Sequence, residues 1–175
     1  MKIAVPIIVL AIVSAVILRV LMIRSTHRLR NEAYDKYKAS PPIAVDFTTP
    51  EGAILCLEDA YRRHDIEAAI AAKDFNEEAK RMLQKIWQNT GNKDTGDEKM
   101  VALTVEALLA TFRLELSETW PNFEGLESFF TKREPDIDSS VIVTEMCRFP
   151  DGGFSQQRLL VAETPQGWRV LNLVD

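Results

Sequence analysis

The chain has 175 residues, 46% hydrophobic and 27% charged, with a formal net charge of −5, which leaves room for one domain of roughly 120–135 residues beside an apolar N-terminal segment. The charge is uneven: residues 1–39 hold 7 Lys/Arg and 2 Asp/Glu, so residues 40–175 carry 14 basic and 24 acidic groups, near −10. Such a field repels phosphate backbones, which argues against nucleic acid as a ligand, and it steers a basic protein partner toward the domain.

The run IAVPIIVLAIVSAVILRVLMI, residues 3–23, is 21 residues long and is interrupted only by Pro6, Ser14 and Arg19. That length predicts a transmembrane helix contacting membrane lipid, placed at 1–25. The apolar run continues past Val13-Ser14-Ala15, which favours a retained anchor over a cleaved signal peptide. Arg24, Arg28, Arg30, Lys36 and Lys38 follow the run. A single-pass membrane protein with its domain in the cytoplasm is therefore expected, a periplasmic or extracellular domain being the alternative. Residues 26–47 read as a basic juxtamembrane segment and a linker containing Pro41 and Pro42, with the folded domain at 48–175.

Within the domain, Thr49 predicts an N-cap with Pro50 at the first helical position, and Ile54, Leu57 and Tyr61 mark an apolar stripe over 50–63. Asp65 predicts a second cap before IEAAIAAK and Asp74 a third, with Glu77 completing a capping-box pattern. Phe75, Ala79, Met82, Leu83, Ile86 and Trp87 line one face of that third helix, which is expected to end near Gly91 in a mobile loop. A fourth helix at about 98–116 presents Val101, Val105, Leu108, Leu109, Phe112 and Leu116, and is expected to cross a sheet.

From Trp120 the pattern becomes β. WPNFEGLESFFTKREPD reads either as a strand or as a short helix and a strand. SSVIVTEMCRF, FSQQRLLVAE and WRVLNLVD, joined by PDGG and TPQG, predict an antiparallel meander. The order is α+β: helices first, antiparallel sheet after.

Helix, helix, capped helix and a terminal meander together resemble the nuclear transport factor 2-like, or cystatin-like, fold, in which helices occupy the hollow of a bent half-cone sheet. TPEGAILCLEDAYRRHDIEAAIAAKDF, CRFPDGG and GWRVL are most similar to the bacterial immunity proteins of that fold, over about 49–174. The resemblance implies a binding protein that neutralises a toxin, and with the apolar run it implies a single-pass placement in a bacterial inner membrane. It also brings homodimerisation through the sheet, as relatives of the fold often show.

The chain has no P-loop, Gly-x-Ser-x-Gly, His-Glu-x-x-His or dinucleotide glycine pattern. Cys56 and Cys147 read as buried thiols, and His27 and His64 have no third ligand at zinc spacing, so neither metal nor cofactor is expected. Tyr61, Asp65, Glu145 and Arg148 are the residues an enzymatic cone would use. As structural residues they read instead as a core-edge aromatic, a helix cap, a solvated strand residue and a surface partner of an acid. Arg62, Arg63 and His64 complement a helix C-terminus. Glu58, Asp59 and Glu67 lack a capping role and, with Tyr61 and Trp168, form the expected partner-binding set. The leading expectation is a membrane-anchored, non-enzymatic immunity protein that binds a basic toxin, the alternatives being an envelope or secretion-complex component and a small-molecule-binding or enzymatic cone.

Overall fold

Thr49 starts the first helix of the folded unit by accepting a hydrogen bond on its Oγ1 from the Gly52 N–H at 3.0 Å, with Pro50 at the first turn. The computed structural model that shows this describes residues 19, 21–22, 25–90 and 97–174. The chain divides into two units, Met1–Pro42 and Ile43–Asp175. In the first, residues 25–38 are helical and carry an Arg28–Glu32 ion pair at 2.8 Å. The expected transmembrane helix is corrected: among the described residues no helix is long and apolar enough to cross a membrane. Residues 3–18, 20 and 23 of that run lie outside the described residues, and the helix at 25–38 is studded with charge. The single-pass inner-membrane placement falls with it.

In the second unit, helix α1 (Pro50–Arg63) ends in a left-handed His64, φ 53°. The His64 N–H bonds Tyr61 O at 3.2 Å and the Asp65 N–H bonds Ala60 O at 2.9 Å, a Schellman closure. The same Asp65 caps α2 (Ile66–Ala71), accepting from Ala68 N at 3.0 Å. Asp74 caps α3 (Phe75–Thr90) through Glu77 N at 3.0 Å. Glu77 gives its carboxylate to Arg81 at 2.8 Å, an i,i+4 partner within the helix. The expected stop at Gly91 and the loop after it lie outside the described residues. Asp97 caps α4 (Glu98–Glu118).

WPNFEGLESFFTKREPD resolves into a loop and a strand. Strands β1 (Glu127–Pro135), β2 (Ser140–Arg148), β3 (Phe154–Thr164) and β4 (Gly167–Leu173) form an antiparallel meander in the order β1-β2-β3-β4. The α+β class therefore stands. The β1–β2 turn has no glycine: Asp138 and Ser139 both take positive φ, 51° and 57°, as a type I′ turn requires. Arg81 clamps that turn from α3, donating to Asp136 Oδ2 at 2.8 Å, Ile137 O at 3.1 Å and Ser140 Oγ at 3.0 Å.

Helix α1 lies on the sheet. Ala53, Ile54, Leu57 and Ala60 are buried in one cluster with Val143, Leu159, Val161 and Val170. Each large aliphatic side chain so buried contributes roughly 1.5–3 kcal/mol. Helix α4 does not cross the sheet as expected; it packs chiefly on α3, and of its residues only Leu116 is fully buried. Both Phe129 and Phe130 are also withdrawn from solvent. Phe129 is 0% exposed and meets Phe154 edge-on at 6.1 Å, and Phe130 is partly buried against the core.

The sheet edges are managed differently. Along β4, Ala72 O accepts from Val170 N at 2.9 Å and Asp74 N donates to Val170 O at 3.1 Å, so the α2–α3 connection covers part of that edge. The β1 edge carries Lys132, Arg133, Pro135 and a register shift between Phe130 and Lys132, features that discourage strand addition.

Gly167, φ 100°, opens β4 where the chain before α1 passes over it. The Trp168 N–H donates to Phe47 O at 2.8 Å, and a Cβ on Gly167 would stand 2.4 Å from that same oxygen. Arg169 completes the contact, its guanidinium 3.8 Å from the Phe47 ring centroid. Gly167→Ala combines a left-handed alanine with a backbone clash and is expected to cost more than about 1 kcal/mol. Urea unfolding should show a lower midpoint with an unchanged slope.

Candidate functional site

The last turn of α1 and the loop from Trp120 to Leu126 enclose an open cleft of about 710 Å³. Its walls are aromatic. The Tyr61 ring stacks on Phe123 at 5.8 Å and meets Trp120 edge-on at 6.3 Å. His64, turned by its left-handed backbone at the helix end, stacks on Trp120 at 4.9 Å. The Arg62 guanidinium lies 5.6 Å from the Phe123 centroid. Burial, followed by the Glu115 carboxylate, pushes the Tyr61 phenol up to about 12, so it remains a neutral hydrogen-bonding group at physiological pH.

Behind Arg62 lies a buried polar cluster. One turn earlier on α1, Glu58 is 2% exposed, and its Oε2 accepts from Arg62 Nη2 at 2.9 Å. Its Oε1 accepts from Ser128 Oγ on β1 at 2.5 Å. Glu145 on β2 is 0% exposed; its Oε2 accepts from Gln157 Nε2 at 2.6 Å and its Oε1 from Cys147 Sγ at 3.4 Å. Ser128 pairs with Cys147 across strands, as Glu145 does with Gln157, so the sheet register assembles the cluster beneath the helix.

Burial pushes the Glu58 carboxyl up to about 8, and its hydrogen bond with Glu145 and the Glu145 charge push the same way. Ser128 and Arg62 pull it down and do not prevail. The short Arg62 contact is compatible with a protonated Glu58, because the carbonyl oxygen of a neutral carboxyl still accepts from a guanidinium. Burial and Glu145 likewise push the Cys147 thiol up to about 12, which removes it as a nucleophile near neutral pH.

The residues singled out from sequence are dispersed. Tyr61 lines the cleft. Glu58 is not presented to a partner; it supports Arg62 from within the core. Asp59 pairs with Arg63 at 2.9 Å and Glu67 with Arg113 at 2.8 Å, both at the surface. Trp168 packs against the core from β4 and is not in the cleft wall. Glu145, read as solvated, is fully buried, and Asp65 is a helix cap. The hypothetical enzymatic set therefore does not converge on the cleft: of Tyr61, Asp65, Glu145 and Arg148, only Tyr61 lines it.

Sequence reasoning missed Arg62, His64 and Phe123 as cleft residues. The i,i+4 pairs Glu58–Arg62 and Asp59–Arg63 were readable signals for part of this. Both cysteines are free, Cys147 buried and Cys56 partly so. Among the described residues, no group of three or more His, Cys, Asp or Glu is placed to hold a metal ion.

Compared with protein-family models, curated proteins and solved structures, the chain matches none.

A Glu58 carboxyl raised from about 4.5 to about 8 binds its proton more tightly in the folded state. Its stabilising contribution is then complete below about 4.5 and is lost as pH rises through about 8. Thermal unfolding should give a melting temperature that falls across this window. Glu58→Gln keeps a neutral hydrogen-bonding group and should flatten the fall; an equally steep profile in that variant would assign the dependence to another group.

Proposed function

We propose that the unit Ile43–Asp175 is a non-enzymatic binding module that receives a protein partner in the aromatic cleft, and that this partner is a toxin neutralised in the manner of an immunity protein. The single observation that carries the binding reading is the cleft wall itself: Tyr61, His64, Trp120 and Phe123, with Arg62, surround an opening at the surface. Tyrosine, tryptophan and arginine held in place before binding are the side chains that dominate protein interfaces, since they bury large area while losing little further freedom.

The partner's chemistry follows from charge and ring faces. The negative field of residues 40–175 attracts a basic surface. Aromatic rings lining the cleft can accept lysine or arginine by cation–π contact, and Glu124 in the cleft wall adds a carboxylate. The toxin assignment draws on the similarity of TPEGAILCLEDAYRRHDIEAAIAAKDF, CRFPDGG and GWRVL to immunity proteins of the nuclear transport factor 2-like fold. In this reading Glu58 contributes by holding Arg62 beside Phe123.

Deleting the gene in a cell that produces an adjacently encoded toxin should stop growth, and the wild-type chain should restore it. Trp120→Ala and Phe123→Ala should each weaken binding to the purified toxin by at least about 2 kcal/mol, roughly 30-fold, and fail to protect. Asp151→Ala, on the β2–β3 turn, serves as the control. Unimpaired growth of the deletion strain with active toxin would overturn the toxin assignment; full protection by both aromatic variants would overturn the cleft as the binding surface.

A further inference from the structure

Glu58 on α1 and Glu145 on β2 are the acids most fully withdrawn from water among the described residues, and one hydrogen-bonded cluster contains both. Glu58 accepts from Ser128 Oγ at 2.5 Å and from Arg62 Nη2 at 2.9 Å. Glu145 accepts from Gln157 Nε2 at 2.6 Å and from Cys147 Sγ at 3.4 Å. Ser128 Oγ lies 3.8 Å from Cys147 Sγ, which closes the chain of contacts between the two acids. The two carboxyls also hydrogen-bond each other. An ionised carboxylate only accepts, so that bond exists only with a proton between them.

The charges around the cluster agree with that count. Helix α1 supplies Arg62, the one cation bonded to either acid among the described residues. Ser128 from β1 and Gln157 from β3 are uncharged, and Cys147 from β2 stays neutral because burial and Glu145 raise its thiol. Asp59, next to Glu58 on α1, is turned to Arg63. Glu115 acts on Tyr61 and Glu124 lines the cleft, and neither bonds Glu58. With one proton the pair carries a single negative charge, which the Arg62 guanidinium balances. With none, a second buried charge has no counter-ion; with two, the guanidinium stands alone.

We propose that Glu58 and Glu145 hold one proton between them, and that this proton is a switch on the cleft, set through Arg62. While the proton is held, Glu58 is a neutral acceptor and the half-exposed Arg62 presents its charge beside Phe123. When the proton leaves to water, Glu58 becomes a carboxylate one turn behind Arg62 and cancels that charge from within. The wall of the cleft then loses its positive character. Burial raises Glu58 to about 8, which sets the change just above neutral pH. By linkage, a basic side chain docking in the cleft favours the charged form of Glu58 and expels the proton. This last consequence rests on the reading of the cleft as the surface for a basic partner; the switch itself does not.

Nuclear magnetic resonance of the isotopically labelled full chain, with no partner added, tests the switch. The side-chain carboxyl carbons of Glu58 and Glu145 and the Cζ carbon of Arg62 are followed from about pH 5 to about pH 10. The two carboxyls should lose one proton between them, with a midpoint at about 8. Arg62 Cζ and the rings of Phe123 and Trp120 should shift with the same midpoint. Glu58→Gln should abolish the shift of Arg62 Cζ at that midpoint. Glu145→Gln, which removes the neighbouring charge, should lower the Glu58 midpoint by about one pH unit or more. Two carboxyls already ionised at the start of the titration would overturn the shared proton. An Arg62 signal that ignores the titration of the pair, or that keeps its shift in Glu58→Gln, would overturn the switch. Because no toxin enters the measurement, its failure is separate from failure of the partner assignment.

Discussion

The contact between Arg62 and Glu58 joins the two parts of this molecule that matter most for function. Glu58 belongs to the core: it is buried beneath α1 and accepts from Ser128 on the sheet. Arg62 belongs to the surface, where its guanidinium faces Phe123 in the cleft wall. A carboxyl is withdrawn from water only at considerable cost, and that cost is limited here by a guanidinium, a hydroxyl and a proton retained to about pH 8. The packing of α1 on the sheet and the position of the cleft's cationic wall therefore depend on the same few atoms. Truncating Arg62 would disturb both, because it would also leave Glu58 without its charged donor.

The junction between α1 and α2 shows how one short stretch serves several ends. Arg63 pairs with Asp59 behind it and Asp65 ahead of it, both within 3.0 Å. His64 closes α1 in a left-handed conformation and delivers its ring to Trp120, while Asp65 opens α2. Most of the charge crowded here is thus consumed by capping and by pairing along the helix. What remains for a partner is aromatic surface framed by charge.

Three surfaces differ in character. The cleft at the end of α1 is suited to recognition. The outer stripe of α4 exposes Met100, Leu103 and Leu114 to solvent. At the edges of the sheet strand addition is discouraged: β4 is partly covered by the α2–α3 connection, and β1 is blunted by charge, proline and a register shift. Its polar interior, gathered around Glu58 and Glu145, sets the Arg62 wall rather than meeting a ligand itself.

Local signals in the sequence sufficed for the helix starts, because a cap is chemistry between neighbours: Thr49, Asp65 and Asp74 each bond an N–H three residues on. The turns PDGG and TPQG were legible for the same reason, and with them the order of helices before an antiparallel sheet. The β1–β2 turn was hidden, since Asp138 and Ser139 adopt left-handed backbone without glycine and are clamped by Arg81, more than 50 residues away. The apolar run at 3–23 suggested a membrane helix from composition alone, and the described residues contain no helix that fits one. The neighbours of each charged side chain were decided only by tertiary structure. Glu58 and Glu67 are alike in sequence terms, yet one lies under α1 against Ser128 and the other projects toward Arg113 at the surface. Cross-strand register brings Ser128 to Cys147 and Glu145 to Gln157, and chain folding brings Trp120 and Phe123 to Tyr61. Capping and periodicity act over a few residues and can be read along the chain; burial depends on what packs from elsewhere, so it takes the folded molecule to separate a core acid from a surface one.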